Sequence, residues 1–224
     1  MKLNFDPIAT STVLARLAAK MGEGERAEGL HVSDLIMCLR KAWIRQRTGE
    51  VPLDYSTVLV FSVGRAMQDW LTGQIGDEVG IEKDGIHGTP DYRDGDGVLS
   101  ELKATYYSSS KDIGETYHYH EQLGAYLAMT GELEGRLIVF YVNGDYKKDR
   151  RQMKVFDLQF TKEELDQWWS ELLERKVILE SALELEDIPL EYHYTWECDY
   201  CVYKGGECPG GTGKKYGFFI REEV

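Results

Sequence analysis

Gly95-Asp96-Gly97 stands at the centre of a stretch, His87 to Thr105, in which apolar and polar residues alternate on both sides. Glycine reaches the positive φ of a tight reversal without steric cost, and alternation with period two marks a strand with one buried face. The stretch therefore predicts a β-hairpin that reverses near Asp96. Asp91 and Glu101 are equally far from the reversal. Pairing in that register sets the two carboxylates face to face, within reach of one divalent cation. Lys103 leaves the same strand face as Glu101. Two acids and a lysine, framed by Val98, Leu99 and Leu102, suit metal-assisted hydrolysis of a phosphodiester. The cation needs hard oxygen ligands, and the lysine orients the attacking water and offsets charge developing on phosphate. The same residues also describe a solvated hairpin with a weak Glu101–Lys103 surface pair, so the rest of the chain has to decide.

A chain of 224 residues that is 42% hydrophobic and 12% aromatic can bury a sizeable core. The expectation is one domain over residues 1–224. No basic stretch followed by an apolar core opens the sequence, and no apolar run approaches the roughly 18 residues of a membrane span. A cytoplasmic location without membrane contact is expected. The net charge of -13 excludes a nonspecific nucleic-acid coat, because phosphate binding needs cations; any contact with DNA relies on local basic patches.

Helical patterning covers Ser11 to Met21, followed by a polar connection at 22–26. A second helix is expected from His31 to Arg47, with cap residues Ser33 and Asp34, carrying Cys38 and the bases Arg40, Lys41, Arg45 and Arg47. A third runs from Thr57 to Gly73 and contains Gly64 and Gln68. After the hairpin, Thr105 to Lys111 is a polar, aromatic loop whose hydroxyls, lysine and rings can hold a single strand's phosphates and bases. Tyr117 to Met129 reads as a helix with Gln122 and Tyr126 one turn apart on the same side. Strands follow at Leu137–Val142 and Met153–Phe160. Thr161 and Glu164 form a capping box for a long helix whose face of Glu171, Glu174, Arg175 and Glu180 reads as solvated surface. The expected fold is α/β, a mixed sheet flanked by helices.

Cys198, Cys201 and Cys208 lie in a glycine-rich C-terminal segment with metal-ligand spacing, and Cys38 is the one thiolate left to complete a set of four. Two disulfides are disfavoured in a cytosolic chain with a Cys-x-x-Cys pair. Spacing alone does not separate zinc from an iron-sulfur cluster, since both accept four thiolates.

The ordered set Cys38, Gly64-x-x-x-Gln68, Pro90-Asp91, Glu101-Leu102-Lys103, Gln122-x-x-x-Tyr126, Cys198-x-x-Cys201, Cys208 resembles the RecB-like branch of the PD-(D/E)xK nuclease superfamily. It is similar to the CRISPR-associated iron-sulfur exonucleases called Cas four, and to the nuclease domain of the AddB helicase-nuclease subunit. The resemblance spans Ser33 to Pro209. It implies a restriction-endonuclease-like core and an iron-sulfur cluster, 4Fe-4S in preference to 2Fe-2S, on the four cysteines. Residues 31–48 and 196–210 then form an iron-sulfur subdomain that clasps the early helix to the C-terminal loop. It implies Mg2+ or Mn2+ held by Asp91, Glu101, the Leu102 carbonyl and Gln68, which stands where such families place a histidine ligand. Lys103 orients the water, and Gln122 and Tyr126 steady Lys103 or the substrate strand. The implied activity is exonucleolytic hydrolysis of single-stranded DNA or DNA ends, in CRISPR spacer acquisition beside CRISPR adaptation proteins, or in viral DNA processing. Two other classes share these residues: a non-catalytic DNA-binding subunit with an iron-sulfur or zinc centre, and an electron-transfer protein.

Overall fold

A computed structural model describes residues 6–21, 28–49, 55–73, 80–93, 95–148, 150–189, 194–199 and 201–208. The polar connection at 22–26 and the end of the C-terminal segment at 209–210 lie outside them. By internal contacts the chain divides into two units, Met1–Glu28 with Pro52–Asp77, and Gly29–Val51 with Glu78–Val224.

The first unit contains α1 (Pro7–Met21) and a later helix, Tyr55–Thr72, that packs against it. The second unit begins with β1 (Leu30–His31), α2 (Val32–Ile36) and α3 (Leu39–Thr48); the first unit's Tyr55–Thr72 is α4. β2 (Ile81–Lys83), β3 (Ile86–Gly88), β4 (Tyr92–Arg93), β5 (Leu99–Thr105), α5 (Tyr117–Thr130), β6 (Glu134–Tyr141), β7 (Gln152–Gln159) and α6 (Lys162–Glu184) complete the order. A small sheet runs β1-β3-β2 and a larger one β4-β5-β6-β7. β5 and β6 are parallel, while β4–β5 and β6–β7 are antiparallel, so the larger sheet is mixed as expected. A parallel pair needs a long crossover, and α5 supplies it, packing on β5 and β6. Gly135 lets it come close: a Cβ there meets Leu123 and Leu127 methyls at 3.0–3.2 Å. The core joins Leu99, Leu137 and Val139 of the sheet to Leu123 and Leu127 of α5 and Trp168, Leu172 and Leu179 of α6. The capping box at Thr161 and Glu164 starts α6 as the sequence predicts. No helix among the described residues is long and apolar enough to cross a membrane.

Three expectations are corrected. The helix predicted over His31–Arg47 is two helices, because Met37 and Cys38 are extended and the Cys38 N–H is taken by the Glu197 carboxylate at 3.0 Å instead of a helical carbonyl. The hairpin arm expected from His87 is split: His87 pairs in the small sheet, and pairing with β5 is confined to Tyr92–Arg93. Pro90, which has no N–H to donate, separates the two. Arg175, read as solvated surface, is buried at 8% exposure. It donates to the Met37 carbonyl at 2.9 Å and lies within the fields of Glu121 and Glu197.

Candidate active site

The turn at Gly95-Asp96-Gly97, with Gly97 at φ 82°, brings β4 back onto β5 with Tyr92 opposite Ser100. That register carries Asp91 to the position opposite Glu101. The hairpin is held to the end of α5 by Arg93, which donates to Glu132 at 2.7 and 3.0 Å; the pairing raises the arginine pKa and lowers that of the carboxyl.

The Asp91 carboxylate accepts the Leu102 N–H at 2.8 Å, which fixes it against β5. Glu101 is 1% exposed. Its Oε1 accepts from Lys103 Nζ at 2.6 Å, while its Oε2 is buried without a hydrogen-bond donor. Burial first, and then the Asp91 charge, push the Glu101 carboxyl up to about 8 despite the opposing lysine. Two carboxyls this close share either a proton or a cation. Lys103 Nζ also donates to Gln122 Oε1 at 2.7 Å, and Gln122 Nε2 donates to the Tyr126 hydroxyl at 3.0 Å. Burial works to lower the Lys103 pKa, but Glu101 and Asp91 outweigh it and hold the ammonium charged. Tyr126 is pressed between elements, since a Cβ at Gly88 of β3 meets its ring at 3.0 Å. Its phenol is raised by burial and by the Glu101 charge. Asp91, Glu101, Lys103, Gln122 and Tyr126 therefore form one connected polar line across β5 and α5.

Residues 12–206 match the model of the PD-(D/E)XK nuclease superfamily. The chain belongs to that superfamily. The fold of this PD-(D/E)XK chain is similar to the crystal structure of SSO0001, at 18% identity over 89% of this chain and 96% of that one, with a TM-score of 0.55. The alkaline exonuclease LHK-Exo from Laribacter hongkongensis aligns over 77% of this chain and 95% of its own at 18% identity, with a TM-score of 0.46. No curated protein sequence matches the chain.

Outside the Asp91–Glu101 line, the PD-(D/E)XK chain gathers its four cysteines. Cys38, Cys198, Cys201 and Cys208 line one cavity of about 70 Å3 with Trp196, Glu197 and Lys204, and no disulfide joins them. Burial, followed by the Glu197 and Cys201 charges, pushes the Cys38 thiol up to about 11. No three His, Cys, Asp or Glu side chains among the described residues are arranged to hold a metal ion. Polypeptide contacts join the early helix to the C-terminal segment: Glu197 accepts the N–H of both Cys38 and Tyr194, Arg40 donates to the Pro189 carbonyl, and Ile44 packs with Tyr203 and Cys208. Gln68 lies on α4 of the first unit.

Sequence reasoning missed His118, Glu121, Glu197 and Arg175. His118 carried a usable signal, since it precedes Gln122 by one helical turn and so shares its face. Burial, then the Lys103 and His120 charges, lower it to about 4. The others carried none: each is buried through contacts more than 30 residues away in sequence, between α5, α6, Met37–Cys38 and the C-terminal segment.

Through its hydrogen bond from Lys103, Gln122 is placed where it can position that ammonium. Gln122→Leu is expected to lower kcat for cleavage about 10- to 100-fold, the range seen when a partner behind a catalytic group is removed. KM stays near that of the parent. Gln122→Glu keeps an acceptor and loses less. Equal losses in both variants, or a change confined to KM, contradict the positioning role.

Proposed function

We propose that this chain is a metal-dependent deoxyribonuclease that hydrolyses single-stranded DNA or DNA ends exonucleolytically. The observation that carries the reading is the Asp91–Glu101 pair, with one Glu101 oxygen buried and lacking a donor beside a charged Lys103. That donor set fits a hard divalent cation: an orphaned buried carboxylate oxygen and a second acid opposite it are what Mg2+ or Mn2+ needs. Asp91, Glu101, the Leu102 carbonyl and Gln68 are the proposed ligands, Gln68 on the family pattern alone. The bound cation supplies Lewis acidity, polarising the phosphate and lowering the pKa of water. Lys103, held by Glu101 and Gln122, would orient the attacking water by donating to its oxygen, and the water's own proton would pass to solvent as that oxygen bonds to phosphorus. As the new P–O bond forms and the ester P–O bond breaks, the ammonium offsets charge on the equatorial oxygens, and the departing oxygen takes its proton from solvent. Tyr126 holds Gln122 in place.

Four thiols on one cavity support a shared four-thiolate centre, read here as an iron-sulfur cluster on Cys38, Cys198, Cys201 and Cys208, with 4Fe-4S favoured. Its role is structural, tying α3 to the C-terminal segment, and closure of the thiols upon it is coupled to binding. The same resemblance supports a role in CRISPR spacer acquisition or viral DNA processing.

The test is cleavage of labelled single-stranded DNA with Mg2+ or Mn2+, beside a visible spectrum of anaerobically purified protein. Cleavage with a broad visible absorption is the expected result. DNA binding without cleavage leaves the non-catalytic subunit, and a reducible centre without either leaves electron transfer. Cys38→Ser is expected to bleach the absorption and destabilise the protein. A colourless parent holding stoichiometric zinc replaces the cluster, and an unaltered spectrum in Cys38→Ser removes that residue from the ligand set.

A further inference from the structure

A cavity of about 340 Å3 opens where β5 ends, within the range of small-molecule sites, about 300–1,000 Å3. Tyr107 and Lys111 of the loop after β5, His118 of α5, Tyr141 of β6, and Tyr194 and Trp196 of the C-terminal segment line it. Rings form a large part of that wall. Tyr194 and Trp196 lie nearly parallel, 19° apart with centroids at 6.0 Å, and the His118 centroid is 5.1 Å from that of Trp196. His118 is uncharged at neutral pH because burial, Lys103 and His120 all lower it, so its ring adds a flat neutral face. At the exposed side Lys111 Nζ sits 5.5 Å from the centre of the Tyr107 ring, and Tyr107 is 41% exposed.

The cavity shares β5 and α5 with the Asp91–Glu101 line. Thr105, also on its wall, is two residues beyond Lys103 along β5, about 7 Å at strand spacing. His118 is one turn before Gln122, which accepts from Lys103. A phosphate at Lys103 is thus within one nucleotide of the aromatic wall. Asp112 and Glu115 also line the cavity and repel phosphate from it, whereas Lys111 at its exposed side and Lys103 further back along β5 attract phosphate. Rings inside, acids on the wall and cations towards the strand's path are complementary to a base that enters while its phosphates remain without. A base paired and stacked in a duplex cannot enter; an unpaired one can, since every base offers a π-face to aromatic rings.

We propose that this cavity is a base-stacking subsite, taking one unpaired nucleobase of the strand whose phosphate lies at Lys103. The assignment rests on the nuclease reading above and adds what the enzyme grips: a single base beside the scissile phosphate, on a strand that is single or frayed.

The test uses the full chain bearing Glu101→Gln, which binds without cutting, and short single-stranded oligonucleotides in which one abasic residue is moved along the strand. Affinity is read by fluorescence anisotropy. One position is expected to lose about tenfold in affinity when its base is removed. Tyr107→Ala, at an exposed position, loses a similar factor on the intact strand and little more on that abasic strand, as two changes to one interaction should. Tyr107→Phe retains the parent's affinity. A flat abasic scan, or losses that multiply when Tyr107→Ala meets the abasic strand, overturns the subsite. Cleavage by the parent chain is followed in parallel: cutting together with a flat scan removes the subsite alone, while a position-dependent scan without cutting removes the nuclease reading and leaves a base-binding cavity.

Discussion

Glu101→Gln is expected to reduce metal-dependent cleavage at least a thousandfold while making the metal-free protein more stable. The first effect follows from the proposed function, in which Glu101 is one of two carboxylates that would hold the cation and the rate depends on that Lewis acid. The second follows from burial. The folded Glu101 carboxyl sits at about 8 against an ordinary 4.5, so between those values the folded protein binds the proton more tightly than the unfolded chain does. Stability therefore falls as pH rises from about 4.5 to about 8, and the cost is complete above that window. Glutamine is neutral throughout. Its oxygen still accepts from Lys103, and its amide can donate towards Asp91. In EDTA the variant should match the parent near pH 4.5 and exceed it by on the order of 4 kcal/mol at pH 8, about 8–16 °C in Tm. Mg2+ or Mn2+ should raise the Tm of the parent and leave that of the variant almost unmoved. Thermal scans at pH 5 and pH 8 with and without metal check both points. A variant that is less stable than the parent at pH 8 contradicts the electrostatic account, and parental turnover removes Glu101 from the chemistry.

Arg175→Ala should produce the largest loss of stability of any substitution at a charged residue of α6. The guanidinium is buried, donates to the Met37 carbonyl just before Cys38, and faces the carboxyl groups of Glu121 and Glu197 and the Tyr194 phenol. Removing it leaves the 1%-exposed Glu121 and the 7%-exposed Glu197 with their negative charges uncompensated. Breaking a buried ion pair from one side costs about 3–5 kcal/mol, here about 10 °C or more in Tm. Arg175→Lys keeps the charge but not the fork of donors and should fall between the two. The substitution should also loosen the cysteine cavity, because Glu197 holds the Cys38 N–H. Denaturation midpoints measured with and without the centre loaded separate these effects. A shift below about 2 °C returns Arg175 to the solvated surface on which its sequence context placed it.

The sequence was most legible where structure is local. Gly95-Asp96-Gly97 gave the hairpin register, and Thr161 with Glu164 gave the start of α6, because turn and cap chemistry act over a few residues. Gln122 and Tyr126 could be paired from helical spacing alone, and their approach to Lys103 needed just one more fact, the crossover of α5 onto β5. Helical periodicity failed at Met37–Cys38, where a hydrogen bond from 159 residues away overrode it. It failed again at Arg175, since a charged residue in an acidic helical face reads the same whether its partners are water or buried carboxylates. The aromatic cavity was half visible: its loop from Thr105 to Lys111 advertised rings and a lysine, but Tyr194 and Trp196 arrive from the far end of the chain.

That last separation has a consequence for how the molecule is made. Synthesis proceeds at about 5–20 residues per second, so Cys38 emerges on the order of ten seconds or more before Glu197, Cys201 and Cys208 exist to meet it. During that interval the Met37–Cys38 break has no carboxylate to hold it, and the thiol that will end buried is open to oxidants and to stray metal. The hairpin bearing Asp91 and Glu101 can form meanwhile, yet two of the rings beside it wait for the C-terminal segment. Biogenesis therefore runs from local to distant, with the cysteine cavity and the aromatic wall closing together through Trp196, which lines both. A nascent chain stalled before Tyr194 would carry the hairpin's acids without a finished aromatic wall.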